Sequence, residues 1–276
     1  MPALQFAVFG HPIGHSLSPR IHQAFARQFG VEIDYRAIDA TPTQFDAAVR
    51  RFFADGGIGA NVTLPHKAAA FALADERSVA ASRAGTANVL SRDSDGRLAA
   101  HNNDGDGMLR DLAKRHGIDL RGQKALLLGA GGAAHGVAWK LLDAGVHSLT
   151  IVNRSSAAAS QLAAAIDEPA RVHTNHWDEL ASLGHYELVV NATSAGVLGV
   201  ALQLPSSLLG SHATCYDLSY GKAATGFLGW ARAAGARRAF DGLGMLVETA
   251  ADAFALWHGQ HPDTEPVYQA LRAQAA

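Results

Sequence analysis

The chain has 276 residues, 48% of them hydrophobic and 17% charged, with a formal net charge of −2. That length suits two domains, the composition is that of an ordinary folded protein, and the near-neutral charge argues against a nucleic-acid surface. Cys215 is the single cysteine, which excludes an internal disulfide and a multi-cysteine metal site.

The first residues, "MPALQFAVFG", lack the basic region and long apolar stretch of a secretory signal. Runs such as "ALLLGAGGAAHGVAW" are broken by Gly and His, so no membrane span is expected and the cytoplasm fits best. "FAVFG" reads as a strand, and residues 19–29 as an amphipathic helix that opens at Pro19 and stops at Gly30. Between them lies "GHPIGHSLSP", more polar than a turn requires. Ser16 and Ser18, two residues apart, share a side if the backbone is extended and can together donate to one carboxylate or phosphate. The other reading of Ser18 is a helix cap before Pro19.

"IDYRAI" reads as a second strand, followed by a helix from an N-cap at Thr43 to Ala54. "GIGANVTLP" is a third strand, after which Pro65 opens a helix at "HKAAAFALA". This alternation implies a largely parallel sheet with helices on its faces. In "ANVLSRDSDGRLAAHN" two short strands flank Asp95-Gly96, a hairpin signal. A helix beginning at Asp104, with Met108, Leu109 and Leu112 at helical spacing, links to the next part.

A second α/β unit begins near Lys124: strand, Gly-rich turn, helix and Gly stop in "KALLLGAGGAAHGVAWKLLDAG". "LTIVNR" is its second strand, an Ala-rich helix follows, and "YELVVNATSAG" and "TCYDLSYG" supply two more strand-to-loop edges. Helical "LGMLVETAADAFALWHG" and "EPVYQALRAQAA" end the sequence.

The turn Gly129 to Ala134 reads "GAGGAA", with Ala at the sixth place of the G-x-G-x-x-G pattern. Only small residues let backbone N–H groups approach a pyrophosphate, and the helix N-terminus favours its charge. An NAD site places a carboxylate at the end of the next strand. Here that strand delivers Asn153, Arg154 and Ser155. No carboxylate would repel a 2′-phosphate, and the Arg154 guanidinium can pair with it, so NADP is the expected cofactor.

The remaining polar residues gather at strand ends. Asn61 and Thr63 alternate on one strand, Lys67 starts the next helix, and Asn88 and Asp104 lie at further element edges. Ligands of open α/β sheets bind at the carboxyl ends of the strands. A Lys and an Asp beside one hydroxyl suit oxidation of a secondary alcohol, the cation stabilising alkoxide charge and the carboxylate orienting the hydroxyl. Each also has a plainer reading: a solvated helix-start Lys and an Asp N-cap.

"AVFGHPIGHSLSP", "GANVTLPHK", "NNDGDG", "LLLGAGGAAHG", "NATSAG", "YDLSYG" and "DGLGMLVETAADAFALWHG", in this order and spacing, resemble the shikimate dehydrogenase family nearly end to end. Members interconvert 3-dehydroshikimate and shikimate with NADPH, in aromatic amino acid biosynthesis. The resemblance implies two open α/β domains: residues 1–103 plus 243–276 as the substrate-binding catalytic domain and 104–242 as a Rossmann-type NADP-binding domain. It places the C-terminal helices back on the first domain and the active site in the interdomain cleft. It implies that Ser16 and Ser18 bind the substrate carboxylate, that Asn61, Thr63, Asn88, Tyr220 and Thr249 line the ring pocket, and that Lys67 and Asp104 are the catalytic pair. Gly129, Ala130, Gly131, Gly132, Ala133, Asn153, Arg154, Ser155, Thr193 and Gly242 become cofactor-binding. The partner is a small molecule, with neither nucleic acid nor membrane, in a monomer or homodimer.

The sequence departs from the family at the site. Thr249 stands where Gln is usual, Thr86-Ala87 replaces Ala-Val before Asn88, Asn103 replaces Thr beside Asp104, and Ala158 replaces a second Arg near the 2′-phosphate. Quinate or a related cyclic hydroxy acid is therefore an alternative substrate, and a non-catalytic sensor of ligand and NADP an alternative class. Retention of Lys67 and Asp104 speaks against the sensor. His11, His15, His66 and His101 lie near the expected site without metal-ligand spacing and read as supporting or surface groups, so no metal is implied.

Overall fold

The computed structural model describes residues 3–275. They form two compact units, one made of residues up to Gly107 together with those from Leu246 onward, the other of Met108–Met245. Each unit is an α/β structure built on a six-stranded sheet, which bears out the expected fold class.

In the first unit, β1 (Leu4–Gly10), α1 (Ser18–Gln28), β2 (Ile33–Asp39), α2 (Phe45–Ala54), β3 (Gly59–Val62) and α3 (Lys67–Leu73) follow the expected alternation. Phe6 to Gly10 are buried throughout, as a strand covered on both faces requires. Phe9, Phe45, Val49, Phe52, Phe53, Val62 and Leu90 make the core on one face. Two helix starts differ from the sequence reading. α2 begins at Phe45, because Thr41 and the Gln44 side chain bond to each other, leaving Thr43 outside the cap. α3 begins at Lys67 after His66, two residues past Pro65.

The sheet is less parallel than the alternation suggests. β4 (Glu76–Arg77) and α4 (Val79–Ala84), capped by Ser78 accepting the Ala81 N–H at 3.1 Å, precede the hairpin β5 (Val89–Arg92) and β6 (Leu98–His101). The strand order is β2-β1-β3-β5-β6-β4. β1 pairs in parallel with β2 and β3, whereas β5 runs antiparallel to both β3 and β6.

The chain leaves this unit along α5 (Asp104–Arg110), which widens into a π-helical turn over Asp111–Arg115. The second unit contains β7 (Lys124–Leu128), α6 (Gly132–Asp143), β8 (Ser148–Asn153), α7 (Ser156–Ile166), β9 (Val172–His176), β10 (Tyr186–Asn191), β11 (Leu209–Asp217), α8 (Thr225–Ala233) and β12 (Arg238–Phe240). Its order, β12-β11-β10-β7-β8-β9, is parallel throughout. That is a doubly wound sheet whose order reverses between β7 and β10, the crevice where such sheets bind nucleotides. α9 (Leu243–His258) returns to the first unit, and α10 (Glu265–Ala275) follows it. No helix among the described residues is long and apolar enough to cross a membrane.

Asp111, fully buried in the π-helical turn, accepts from Arg115 at 2.8 Å and from the Tyr216 hydroxyl at 2.7 Å. Burial alone would raise its carboxyl pKa, but the bonds from His116, Tyr216 and Arg115 outweigh it and hold the group below the usual carboxylate range. Gly244 packs directly on this carboxylate: a Cβ there would fall 1.8 Å from Oδ1. Gly244→Ala is therefore expected to destabilise the protein by about 2 kcal/mol, the scale of overpacking a fixed core group. An unchanged urea midpoint and slope would contradict this.

Candidate active site

The first unit supplies a cluster of polar side chains at strand and helix ends. Lys67 is the first residue of α3 and Asp104 the first of α5. Lys67 Nζ lies 2.6 Å from Asp104 Oδ2, with side-chain exposures of 12% and 5%. Removing two charges from water costs several kcal/mol, which a pair offsets only when the remaining donors and acceptors are also satisfied. Here they are: Asn88 Nδ2 donates to Asp104 Oδ1 at 2.9 Å, and the Asp104 N–H donates to Asn102 Oδ1 at 3.1 Å. Asn102 is itself held by donating to the Thr86 carbonyl and hydroxyl, each at 3.0 Å. The plainer readings of a solvated Lys67 and of Asp104 as a cap do not hold.

Both N–H donors of the Asn88 amide are engaged. Besides Asp104 it donates to Asn103 Oδ1 at 2.6 Å, and its oxygen accepts the Asn103 N–H at 3.0 Å. Asn103 in turn donates to the Thr249 carbonyl of α9 at 2.9 Å. Asn103, one of the departures from the family pattern, thus ties Asn88 to the C-terminal helix. The Thr249 hydroxyl donates back to the Leu246 carbonyl at 3.0 Å, and the residue is 7% exposed. At position 249 the side-chain donor is spent on its own helix.

Ser16 and Ser18 do come together, by a different route from the extended backbone expected. Leu17 between them is helical and is itself the N-cap of α1, with no side-chain capping bond. Ser18 is the first residue of the helix and does not cap it. The turn sets Ser16 Oγ 3.2 Å from Ser18 Oγ, and Ser16 Oγ accepts the Ser18 N–H at 3.3 Å. Asn61 lies on β3. Thr63 lies just past its end, where its N–H donates to the Phe9 carbonyl at 2.9 Å. The neighbouring His11 N–H donates to the Leu64 carbonyl at 3.0 Å, which joins the loop before Ser16 to the stretch around Thr63. His11 also pairs with Asp39 at 2.6 Å. The bond from His11 holds the Asp39 carboxyl below its usual range.

Buried His66 donates to the Ala40 carbonyl at 2.7 Å and stacks on Phe45, with ring centroids 4.4 Å apart. Burial lowers its pKa and that of His101. Among the described residues no group of three or more His, Cys, Asp or Glu is placed to hold a metal ion. Sequence reasoning missed His22 and Tyr35, both buried against Asn61. The one available signal was a His on the apolar side of the α1 pattern.

In the second unit, the Gly-rich turn sits at the carboxyl end of β7, at the switch point. Gly129 has φ +103, and a Cβ there would lie 3.1 Å from the backbone of Ala192 and Thr193. Glycine is thus required by both conformation and the approach of the β10 edge. Gly131 caps α6 with extended backbone. A Cβ on Gly131 would meet no protein atom within 4 Å, so the space it leaves open faces away from the chain itself. Ala130, Gly132 and Ala133 complete a turn of small residues leading into the N-terminus of the twelve-residue helix α6. Thr193 is fixed by donating to Asn191 Oδ1 at 2.7 Å.

At the end of β8, Ser155 caps α7 by accepting the Ala158 N–H at 3.3 Å, and Asn153 donates to the Ser155 carbonyl at 3.1 Å. His176 Nε2 lies 2.8 Å from the Arg154 carbonyl, so the loop is held while the Arg154 side chain is exposed. A positive side chain on a fixed loop with no acidic residue at 153–155 fits a nucleotide 2′-phosphate.

Tyr220 precedes a short 3-10 turn over Gly221–Ala224 after β11. A Cβ on Gly242 would fall 2.4 Å from the Leu218 carbonyl, which explains that glycine by packing. Beneath the loop carrying Tyr220, Asp217 accepts from Asn191 at 2.9 Å and from the Ser219 N–H at 2.8 Å. Burial pushes its carboxyl up to about 6.

Known proteins match this arrangement along almost the whole chain. Residues 8–90 match the shikimate dehydrogenase substrate binding domain, 111–201 the shikimate / quinate 5-dehydrogenase domain, and 242–272 the shikimate 5′-dehydrogenase C-terminal domain. The shikimate dehydrogenase (NADP(+)) of Xylella fastidiosa strain M12 is 55% identical over 99% of this chain and 98% of its own length. That of Xanthomonas campestris pv. campestris strain B100 is 55% identical over 100% and 98%. Among solved structures, the shikimate 5-dehydrogenase of Thermus thermophilus in complex with NADP(H) and shikimate is 34% identical, covers 99% of this chain and 100% of its own, and superposes with a TM-score of 0.84. The chain belongs to the shikimate dehydrogenase family.

Proposed function

We propose that this protein reduces 3-dehydroshikimate to shikimate with NADPH, reversibly, as a cytoplasmic enzyme. The observation that carries the reading is the Lys67–Asp104 pair, buried, hydrogen-bonded at both carboxylate oxygens and placed at two helix starts. A binding protein needs no such pair. Relatives named for this activity match the chain over its full length.

NADP, when bound, supplies the hydride acceptor for shikimate oxidation. The chain's residues handle the proton and the charge. A ring hydroxyl seated at the pair accepts from the Lys67 ammonium and donates to the Asp104 carboxylate. As the C–H hydride leaves, the hydroxyl proton passes to the pair and then to solvent, and Lys67 stabilises the growing negative charge on oxygen. Asn88 fixes Asp104, so the carboxylate does not reorient during transfer. The hydroxyls of Ser16 and Ser18 hold the ring carboxylate, Asn61 and Thr63 meet ring hydroxyls, and Thr249 completes the pocket wall. The turn Gly129–Ala133, with Thr193 and Gly242, holds the cofactor's pyrophosphate side, and Asn153, Arg154 and Ser155 hold its 2′-phosphate.

Purified protein supplied with shikimate and NADP is expected to raise nicotinamide absorbance, and no response to shikimate alongside a response to quinate would redirect the substrate assignment. Lys67→Ala is expected to lower kcat by roughly 10²-fold or more, the scale of a positioned acid–base group, with a far smaller change in KM. Near-normal turnover would overturn the assignment. A charge-assisted bond to phosphate contributes about 1.5–3 kcal/mol, so Arg154→Ala should raise KM for NADP by roughly 10- to 150-fold and leave KM for NAD nearly unchanged. Equal losses with both cofactors would show that Arg154 does not read the 2′-phosphate.

A further inference from the structure

Asn61 is anchored from behind by residues that touch no substrate in the reading above. Tyr35 on β2 and Gly59 on β3 both pair with Phe6 of β1, so Tyr35 and Asn61 share a sheet face. The Tyr35 hydroxyl lies 2.6 Å from Asn61 Oδ1, and His22 Nε2 of α1 lies 3.0 Å from the same oxygen. Tyr35 and His22 are 5% and 1% exposed. Their rings stack at 4.4 Å and 13°, with Trp257 of α9 5.3 Å from the His22 ring.

Both contacts are made to the amide oxygen of Asn61, which can only accept. The Tyr35 hydroxyl therefore donates to it. The 3.0 Å contact of His22 is that of an N–H donor to the same oxygen. Burial pushes the His22 ring down to about 3, outweighing the bond to Asn61, so at neutral pH it carries a single proton. The Tyr35 hydroxyl, pushed well above its ordinary value by burial, stays protonated. Both lone pairs of Asn61 Oδ1 are thereby filled, and only the NH2 group is left to offer.

We propose that Tyr35 and His22 are positioning residues that lock the Asn61 amide so that it presents N–H donors alone to the ligand, and that this site therefore selects a substrate oxygen able to accept. The inference rests on the substrate reading above for its kinetic part and on the protein alone for the rest. It accounts for a neutral His and a Tyr buried where an apolar core would serve for stability. It also links two substrate-contacting places, because the Tyr35 hydroxyl is hydrogen-bonded to Ser18 as well.

The test has two arms. Nitrogen-15 NMR of the histidine rings at pH 7, without substrate, reads which nitrogen of His22 carries the proton. The resonances are assigned by their loss in His22→Gln. The expected result is Nε2–H, and a proton on Nδ1 with Nε2 as acceptor overturns the proposal. In Tyr35→Phe, one of the two bonds on Asn61 is removed, so KM for shikimate should rise roughly 3- to 10-fold while kcat stays within about twofold. An unchanged KM, or a loss confined to kcat, also overturns it. A merely structural role would lower the melting temperature without separating KM from kcat. Should Tyr35→Phe fail to fold, the tautomer decides alone. Should the wild-type protein ignore shikimate, the functional reading fails and the tautomer still tests the lock.

Discussion

The structure of the site depends on how one buried carboxylate is satisfied. Asp104 offers two oxygens, and each accepts one strong donor, Lys67 on one side and Asn88 on the other. An ammonium and a carboxylate 12% and 5% exposed would be costly if either were left alone. Their mutual satisfaction requires α3, the β5 edge and the start of α5 to meet at one point. The antiparallel turn in the sheet makes this possible. By reversing direction at β5 and β6, the chain brings Asn88 and Asn102–Asp104 back beside the end of β3. An all-parallel sheet would have carried these residues to the far side of a crossover.

The same logic of oriented groups runs through the rest of the first unit. Asn88 donates to Asp104 and Asn103, and Asn103 reaches the Thr249 carbonyl, so the C-terminal helix braces the Asp104 carboxylate through two amides. Asn61 is braced by Tyr35 and His22. The second unit answers different demands. Its parallel sheet, with order reversal between β7 and β10, needs close approach of two backbone turns, which Gly129 permits, and leaves the N-terminus of α6 lined by small residues. One unit thus holds oriented polar side chains, and the other shapes a helix end lined by small residues.

Much of this was legible in sequence because it is local. The strand–turn–helix of the Gly-rich motif, the hairpin around Asp95-Gly96, and Lys67 at a helix start each rest on neighbours within a few residues. The elements that escaped notice are edge or very short pieces. β9 at one sheet edge exposes half its polar "VHTNH" residues, β12 has three residues, and α4 is a six-residue helix between two turns. The convergence of Ser16 and Ser18 is legible in the spacing but its cause is not, since Leu17 is helical where the spacing argues for an extended residue. Tyr35 leaves no signal and His22 only its place on the apolar side of α1, because their partner Asn61 lies on another element and the strand order β2-β1-β3 brings Tyr35 to it.

The central claim is that Lys67 and Asp104 work as one unit on the substrate hydroxyl. A double-mutant cycle on kcat for shikimate oxidation, using Lys67→Ala, Asp104→Asn and the two combined, tests it most directly. Residues that act together give strongly non-additive losses. The account predicts that the double variant is about as slow as the slower single variant. Losses that multiply in the double variant would show two independent contributions and contradict it.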